Sequence, residues 1–277
     1  MNVTVVGAGS LIAQALRRHP GAAGWRFLHF AQATAMPDAL DGVDLLINCA
    51  FARRLRTESY DAACDADVQL AHRLAPPARF LMLSSRLAYG PAGDDPCLHE
   101  SRVPRPDRPY GINKLTTERA LAAMLGDRLT VLRLGNAFGD EDQAGRQNFL
   151  AIALRSLRQQ RRVVLDISPF VERDFIPVDL LAERIVHISS MPKAGLYNLG
   201  AGTAVPTGRI AQWLIEGHGD GELVVTDMRE HDAFQLDIGA AQRTFGIAAV
   251  PLLQVRQACL HLGRRAREAA NAAKVAA

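Results

Sequence analysis

Tyr110 and Lys114 stand four residues apart in the run Tyr110-Gly111-Ile112-Asn113-Lys114. On a helix that spacing puts a phenol and an ammonium on one face, one turn apart. The positive charge favours the phenolate, so the expected effect is a tyrosine pKa drawn down towards neutral pH. A phenol tuned in this way can give or take a proton at a carbonyl or hydroxyl carbon. The spacing alone recurs by chance on many helices, and its weight here comes from its neighbours. Upstream, the apolar run Phe80-Leu81-Met82-Leu83 closes on Ser84-Ser85. The chain opens on a strand followed by the glycine turn Val6-Gly7-Ala8-Gly9-Ser10.

These groups need elements to hold them. Val3 to Val6 reads as a strand, Ser10 to Arg18 as a helix stopped by His19-Pro20-Gly21, and Trp25 to Phe30 as a second strand. Val43 to Cys49 reads as a strand whose centre, Leu45-Leu46-Ile47, is apolar, as a strand buried on both faces would be. Glu58 to Leu74 has helical spacing, Arg79 to Leu83 reads as a strand, Tyr110 to Leu125 as a helix and Leu129 to Leu134 as a strand. The alternation predicts an α/β fold with a doubly wound parallel sheet that binds ligands at the carboxyl ends of its strands. The second half is less regular. It reads as helices over Asn148 to Gln160, Val178 to Ser189 and Thr207 to Ile215, with strands at Val163 to Asp166, Tyr197 to Gly200 and Glu222 to Thr226. Two last helices fall near Ala240 and Leu252, and the Ala-rich tail from Arg264 onward is expected to fray. The five-proline loop from Gly90 to Pro109 lies between Ser85 and Tyr110 and is expected to border the site.

The bulk properties narrow the function classes. At 277 residues the chain can hold one large domain or two small ones. A net charge of +3 with scattered arginines gives no clustered basic face for nucleic acid, and the run Arg155, Arg158, Arg161, Arg162 reads as a solvated helix end. Cys49, Cys64, Cys97 and Cys259 form no close pair, which argues against a metal or redox motif and fits a reducing compartment. No charged leader precedes the first strand, and no apolar run approaches the roughly 18 residues a membrane helix needs. The expectation is a soluble cytoplasmic protein with no metal, no nucleic acid and no membrane partner.

In this order the segments resemble the extended short-chain dehydrogenase/reductase family of nucleotide-sugar epimerases, dehydratases and reductases. The resemblance runs from the glycine turn through Val43-Asp44-Leu45-Leu46-Ile47-Asn48-Cys49-Ala50, Ser84-Ser85 with Ala88-Tyr89-Gly90, and the Tyr110–Lys114 run. It continues in Leu132-Arg133-Leu134-Gly135-Asn136-Ala137-Phe138-Gly139, Arg173-Asp174-Phe175-Ile176-Pro177-Val178-Asp179 and Tyr197-Asn198-Leu199-Gly200. It implies a Rossmann-type domain over residues 1–140 that binds NAD or NADP. A smaller α/β substrate lobe would cover 141–277, with segments near 163–200 returning to the sheet. By matching position, Ser85 would hydrogen-bond the reacting oxygen, Tyr110 would be the general acid/base, and Lys114 would hold the nicotinamide ribose. Gly7, Gly9, Ser10, Leu11, Ile12, Ala50, Arg53, Ser84 and Leu134 would complete the cofactor site. A homodimer through the helices Glu58 to Leu74 and Tyr110 to Leu125 is also implied.

Two departures stand out. The family usually has glycines at the first, fourth and seventh positions of the turn, where this chain has Gly7, Ser10 and Ala13, with Gly9 added. The end of the second strand, Leu28-His29-Phe30-Ala31-Gln32, carries neither the acid expected for NAD nor the arginine expected for NADP.

The residues after Ser85 sort the reactions. The 4,6-dehydratases of the family carry Asp-Glu there, and the epimerase/reductases that deprotonate carbon carry a cysteine in this region; this chain has Arg86-Leu87. What remains needs only serine, tyrosine, lysine and a hydride. The leading expectation is reduction of a keto group on a nucleotide-activated deoxysugar. A sugar-nucleotide 4-epimerase, a reductase of a non-sugar carbonyl and a non-catalytic dinucleotide-binding regulatory module are the alternatives. Arg86, Asn136, Asn148 and Arg173 are the substrate-binding residues the resemblance implies, although Arg173 has a plain alternative in an ion pair with Asp174 or Glu172. A second phosphate-binding arginine is replaced by Phe234, with Arg229 or His231 as substitutes.

Overall fold

The computed structural model describes residues 1–140 and 149–275. In chain order it contains β1 (Val3–Val6), α1 (Leu11–Arg18), β2 (Arg26–Leu28), α2 (Phe30–Ala35), β3 (Leu45–Asn48), α3 (Ala66–His72), β4 (Arg79–Ser85), β5 (Cys97–Leu98), α4 (Pro109–Leu125) and β6 (Leu129–Leu134). There follow β7 (Asn136–Phe138), α5 (Phe149–Gln160), β8 (Arg162–Leu165), β9 (Glu172–Pro177), α6 (Val178–Ser190), β10 (Gly195–Leu199), β11 (Ala204–Pro206), α7 (Thr207–His218) and β12 (Glu222–Val225). The chain closes with β13 (Gln235–Leu236), α8 (Gly239–Phe245) and α9 (Leu252–Val275).

The chain divides into two compact units. The first comprises Met1–Gly135, Val178–Leu199 and Leu236–Ala248, and the second Asn136–Pro177, Gly200–Gln235 and Ala249–Ala277. In the first, six parallel strands lie in the order β10-β6-β4-β3-β1-β2. This is a Rossmann-type α/β sheet. The chain leaves β1 towards β2 on one side and then crosses to β3 on the other. The switch point of the topology therefore falls between β1 and β3, where ligands of such sheets bind. The central strands β1, β3, β4 and β6 are buried on both faces, and Val6, Leu46, Phe80, Met82 and Val131 join Leu121 and Leu125 of α4 in one core.

The second unit holds the three-stranded sheet β11-β9-β7 and the parallel pair β12-β8. Helices α7 and α9 approach so closely that a Cβ on Gly217 would lie 2.2 Å from the Leu260 carbonyl oxygen, and one on Gly263 2.2 Å from that of Leu214. Two glycines facing opposite helices are what allow this approach.

Three sequence expectations change. The helix expected over Glu58 to Leu74 is α-helical only from Ala66, because Asp65 caps it there, its carboxylate accepting from the Asp67 and Val68 amides. The strand expected to reach Phe30 stops at Leu28, since His29 and Gln32 form a capping box that opens α2. The tail expected to fray is instead the last part of α9, which runs to Val275; its alanines are strong helix formers.

Candidate functional site

The switch point is built around Gly7. Its φ is +92°, and a Cβ there would fall 2.4 Å from the Ala50 amide nitrogen, so only glycine lets β1 turn against the end of β3. Gly7 and Ala8 both donate to the Leu28 carbonyl, at 2.9 and 3.0 Å, which ties the turn to β2. Gly9 is different: a Cβ there would meet only His29 Cε1 at 3.8 Å, so this glycine leaves open ground rather than relieving a clash. Ser10 caps α1, its Oγ accepting from the Ala13 amide at 3.1 Å. Leu11 is buried and Ile12 half-buried in the first turn of α1, which contains no acidic residue, so the helix presents an uncompensated positive end beside the glycine turn.

At the end of β3, Asn48 holds the chain that follows, its Oδ1 accepting from the Ala50 amide at 2.8 Å. The Cys49 thiol is pushed up to about 12, chiefly by burial. A thiol so protonated is packing, not a nucleophile. Arg53 is exposed on a short 3-10 turn, Arg53–Arg56.

Tyr110 and Ser85 are brought into one neighbourhood by a glycine that the sequence reading passed over. A Cβ on Gly111 would lie 2.2 Å from the Leu87 carbonyl oxygen, so the first turn of α4 rests directly on the 3-10 turn Arg86–Tyr89 that follows Ser85. Ser85 Oγ accepts from the Leu87 amide at 3.2 Å, leaving its own proton to be donated elsewhere. Arg86 is buried in the same turn. The Tyr110 ring packs edge-on to Phe51 with centroids 5.2 Å apart, and the Arg56 guanidinium lies 5.3 Å from the Tyr110 ring centre. Asn113, buried, donates to the carbonyls of Leu55 and Glu58 at 2.7 and 2.9 Å, which fixes the Arg56 turn against α4.

Lys114 is buried, yet its pKa stands above the ordinary lysine value. Desolvation works against the charge, but Asp67, then Tyr110, Asp65 and Glu118, outweigh it. Its Nζ donates to the Leu83 carbonyl at 2.9 Å, lies 3.6 Å from Asp67 Oδ2, and sits 5.0 Å from the Phe51 ring centre.

One further turn along α4, Glu118 receives Arg133 of β6 bidentately, Nε at 3.0 Å and Nη2 at 2.6 Å, and also accepts from the hydroxyl of Ser84. Ser84 and Arg133 are register partners on β4 and β6, as are Ser85 and Leu134. The Arg133 guanidinium also stacks over Tyr89 at 4.2 Å, and Tyr89 donates to Asn198 Oδ1 at 2.7 Å. Glu118, Arg133, Tyr89 and Asn198 went unnoticed in the sequence as site residues. The available signal was the i, i+4, i+8 spacing of Tyr110, Lys114 and Glu118.

Within the second unit, Asn136 on β7 pairs in register with Phe175 on β9, next to Arg173 and Asp174. The Arg173 Nε donates to the Asp232 carbonyl at 3.1 Å and its Nη2 lies 3.5 Å from the Asp232 carboxylate. Asp174 instead accepts from the Ala201 and Gly202 amides at 2.6 and 3.0 Å. Phe234 is fully buried and bridges to Arg173, while Arg229 is paired with Asp227 at 2.6 Å. Asn148 lies outside the described residues. Among the described residues no group of His, Cys, Asp or Glu could hold a metal ion, and no helix is long and apolar enough to cross a membrane.

A family model for the NAD dependent epimerase/dehydratase family matches residues 3–200. Solved structures similar to this chain include MoeE5 in complex with UDP-glucose and NAD, at 20% identity over 96% of this chain and 99% of that one, with a TM-score of 0.78. RMD from Pseudomonas aeruginosa, complexed with NADPH, matches at 20% identity over 97% and 99%, TM-score 0.76. UDP-glucose 4-epimerase from Thermotoga maritima, with UDP-glucose, matches at 20% identity over 96% and 99%, TM-score 0.76. At these identities the structural likeness is one of fold.

Proposed function

The chain belongs to the NAD dependent epimerase/dehydratase family, and from that premise we propose that it is a NAD(P)-dependent oxidoreductase that reduces a keto group on a nucleotide-activated sugar. The observation that carries this reading is the Gly111 contact, which rests the first turn of α4, bearing Tyr110, on the turn that follows Ser85, with Arg86 and Leu87 where a second acid and base would be needed for dehydration.

The residues of the switch point suit a dinucleotide. Gly7 gives the tight turn, Gly9 the open ground for a pyrophosphate, and the uncompensated start of α1, with Ser10, Leu11 and Ile12, the positive end facing it. Ala50, Arg53 and Leu134 border the same strand ends, and Lys114 would take the nicotinamide ribose. Ser84, whose hydroxyl is committed to Glu118, contributes backbone only. When bound, the nicotinamide supplies the hydride. The chain's own part is the proton: the Tyr110 hydroxyl gives it to the oxygen of the reduced carbon, and the Ser85 hydroxyl donates a hydrogen bond to that oxygen. Lys114 places positive charge beside Tyr110 and stabilises the phenolate left behind. Asn136 and Arg173 would hold the sugar nucleotide; an arginine fork suits phosphate oxygens. A homodimer through α3 and α4 belongs to the same reading, and α4 leaves Ile112 and Arg119 exposed for it.

The family description also favours a second reading, a sugar-nucleotide 4-epimerase, which uses the same three residues but returns the hydride within each turnover. One experiment separates the two. Purified protein is titrated with NADH and NADPH by fluorescence, then given dTDP-, UDP- and GDP-linked 4-keto-6-deoxysugars while reduced cofactor is followed by absorbance. Stoichiometric consumption supports the reductase. Conversion of a nucleotide hexose to its epimer without net consumption replaces it with the epimerase, and absence of cofactor binding overturns both.

A further inference from the structure

Beneath Lys114 lies a carboxylate that the proton chemistry described above leaves unused. Asp67 is buried with Lys114, its Oδ2 3.6 Å from Nζ, and its Oδ1 accepts from Asn48 Nδ2 at 2.7 Å. It does not cap its own helix; Asp65 does that, and Asp65 is further bound to Tyr60 and Thr117. Asp67 thus makes no capping hydrogen bond of its own, although it lies in the first turn of α3, and its carboxylate is aimed at the one ammonium in the site. A buried charge is costly to place and is retained where it has a specific partner.

Resting on the function proposed above, we propose that Asp67 is a positioning residue for Lys114. Its ionised carboxylate and the Leu83 carbonyl hold Nζ at the root of α4, and its ionisation state sets how much of the lysine charge is left for Tyr110 and the cofactor ribose. The groups facing Asp67 are Lys114 from α4, Asn48 and Cys49 from the end of β3, Asp65 from the start of α3, and Tyr60 from the loop before it. Of these, Lys114 and then Asp65 act most strongly on the Asp67 carboxyl. Two buried carboxylates share one ammonium, so the lysine gains while Asp67 is left short. Its pKa rises from 3.8 to about 6, through burial first, with Lys114 opposing and Asp65 adding to the rise. Below that point the ammonium loses a counter-charge.

The test is Asp67→Asn, which keeps the shape and a partner for Asn48 and removes the charge. In the whole protein without ligand, the 15Nζ shift of Lys114 is followed against pH. It should inflect with Asp67 in the wild type and lose that inflection in Asp67→Asn. Affinity for NADH and NADPH by fluorescence, and kcat and KM for the sugar consumed, are measured over the same pH range. The acid limb should vanish in the variant, kcat should change about tenfold, the factor carried by one pKa unit of interaction, and sugar KM should hold within about twofold. Asp67→Glu should restore a pH-dependent limb. An unchanged Lys114 inflection, or a wild-type pH profile in Asp67→Asn, overturns the proposal. If no nucleotide sugar is turned over, the functional reading fails by itself, and the nitrogen titration still decides the role of Asp67.

Discussion

Lys114 donates to the carbonyl of Leu83 at 2.9 Å, two residues before Ser85. The helix that carries Tyr110 is thereby tied to the strand that delivers the serine, and the tie is the same ammonium that the proposed chemistry needs. Lys114→Met should therefore do two things at once. Turnover should fall by about two orders of magnitude or more, and Asp67 should be left buried without its counter-ion, costing about 3 kcal/mol. Steady-state kinetics and urea unfolding of the same variant check both.

Tyr110→Phe removes one oxygen and keeps the ring against Phe51. Turnover should drop by a factor of about 10²–10⁴, while NADH or NADPH affinity by fluorescence stays within about twofold of wild type. Loss of cofactor binding instead would make the residue structural.

Glu118→Ala should cost about 3–5 kcal/mol in urea unfolding, because it strands the Arg133 guanidinium in the core and deprives Ser84 of its acceptor. The double variant Glu118→Leu with Arg133→Met should recover most of that loss, since an apolar pair needs no partner. A double variant as unstable as the single one would show that shape, not charge, holds the two elements together.

The difference in stability between Asp67→Asn and wild type should depend on pH in a defined direction. The carboxyl titrates at 3.8 in the ordinary state and at about 6 in the fold, so the folded chain binds this proton more tightly. The stabilisation from the protonated carboxyl is full below pH 3.8 and is lost as pH rises through about 6. The asparagine variant, neutral throughout, lacks this titration, so its stability relative to wild type should shift in the variant's favour as pH rises through about 6. Unfolding curves on both sides of the window measure this, and a difference that does not vary with pH would contradict it.

Two glycines of the same turn should respond oppositely. Gly7→Ala places a methyl 2.4 Å from the Ala50 amide at a φ of +92° and should abolish cofactor binding and destabilise the fold. Gly9→Ala meets nothing nearer than 3.8 Å and should leave the fold intact, so any loss of NADH or NADPH affinity there reports on the ligand alone. Thermal unfolding alongside fluorescence titration distinguishes the two.

The parallel sheet was legible because strands buried on both faces read as unbroken apolar runs, as in Leu45–Ile47 and Phe80–Leu83. The glycine turn and the Tyr110–Lys114 pair were legible because they are local. What the sequence hid was set by pairings across long separations. Nothing near Glu118 points to Arg133 on the next strand, and nothing near Gly111 shows that its missing side chain accommodates Leu87. The helix over Glu58 to Leu74 was misjudged for a local reason: the periodicity continued past the point where an Asp65 cap starts the helix afresh. Phe234 was read as a lost arginine, whereas it is a core residue bridged to Arg173.

The parallel sheet receives its edge strand β10 only at Gly195–Leu199, and the chain of the first unit ends only at Ala248. A ribosome therefore releases much of the intervening chain before it supplies the segment that closes the sheet. Until then β6 presents an open edge, its backbone amides and carbonyls unpaired on the side that β10 will cover. A nascent chain halted before Gly195 would carry the turn, the serine, the tyrosine and the lysine, yet lack Asn198, the acceptor for the Tyr89 hydroxyl. The first unit can close only once Leu236–Ala248 has been made, long after the turn, the serine, the tyrosine and the lysine have appeared.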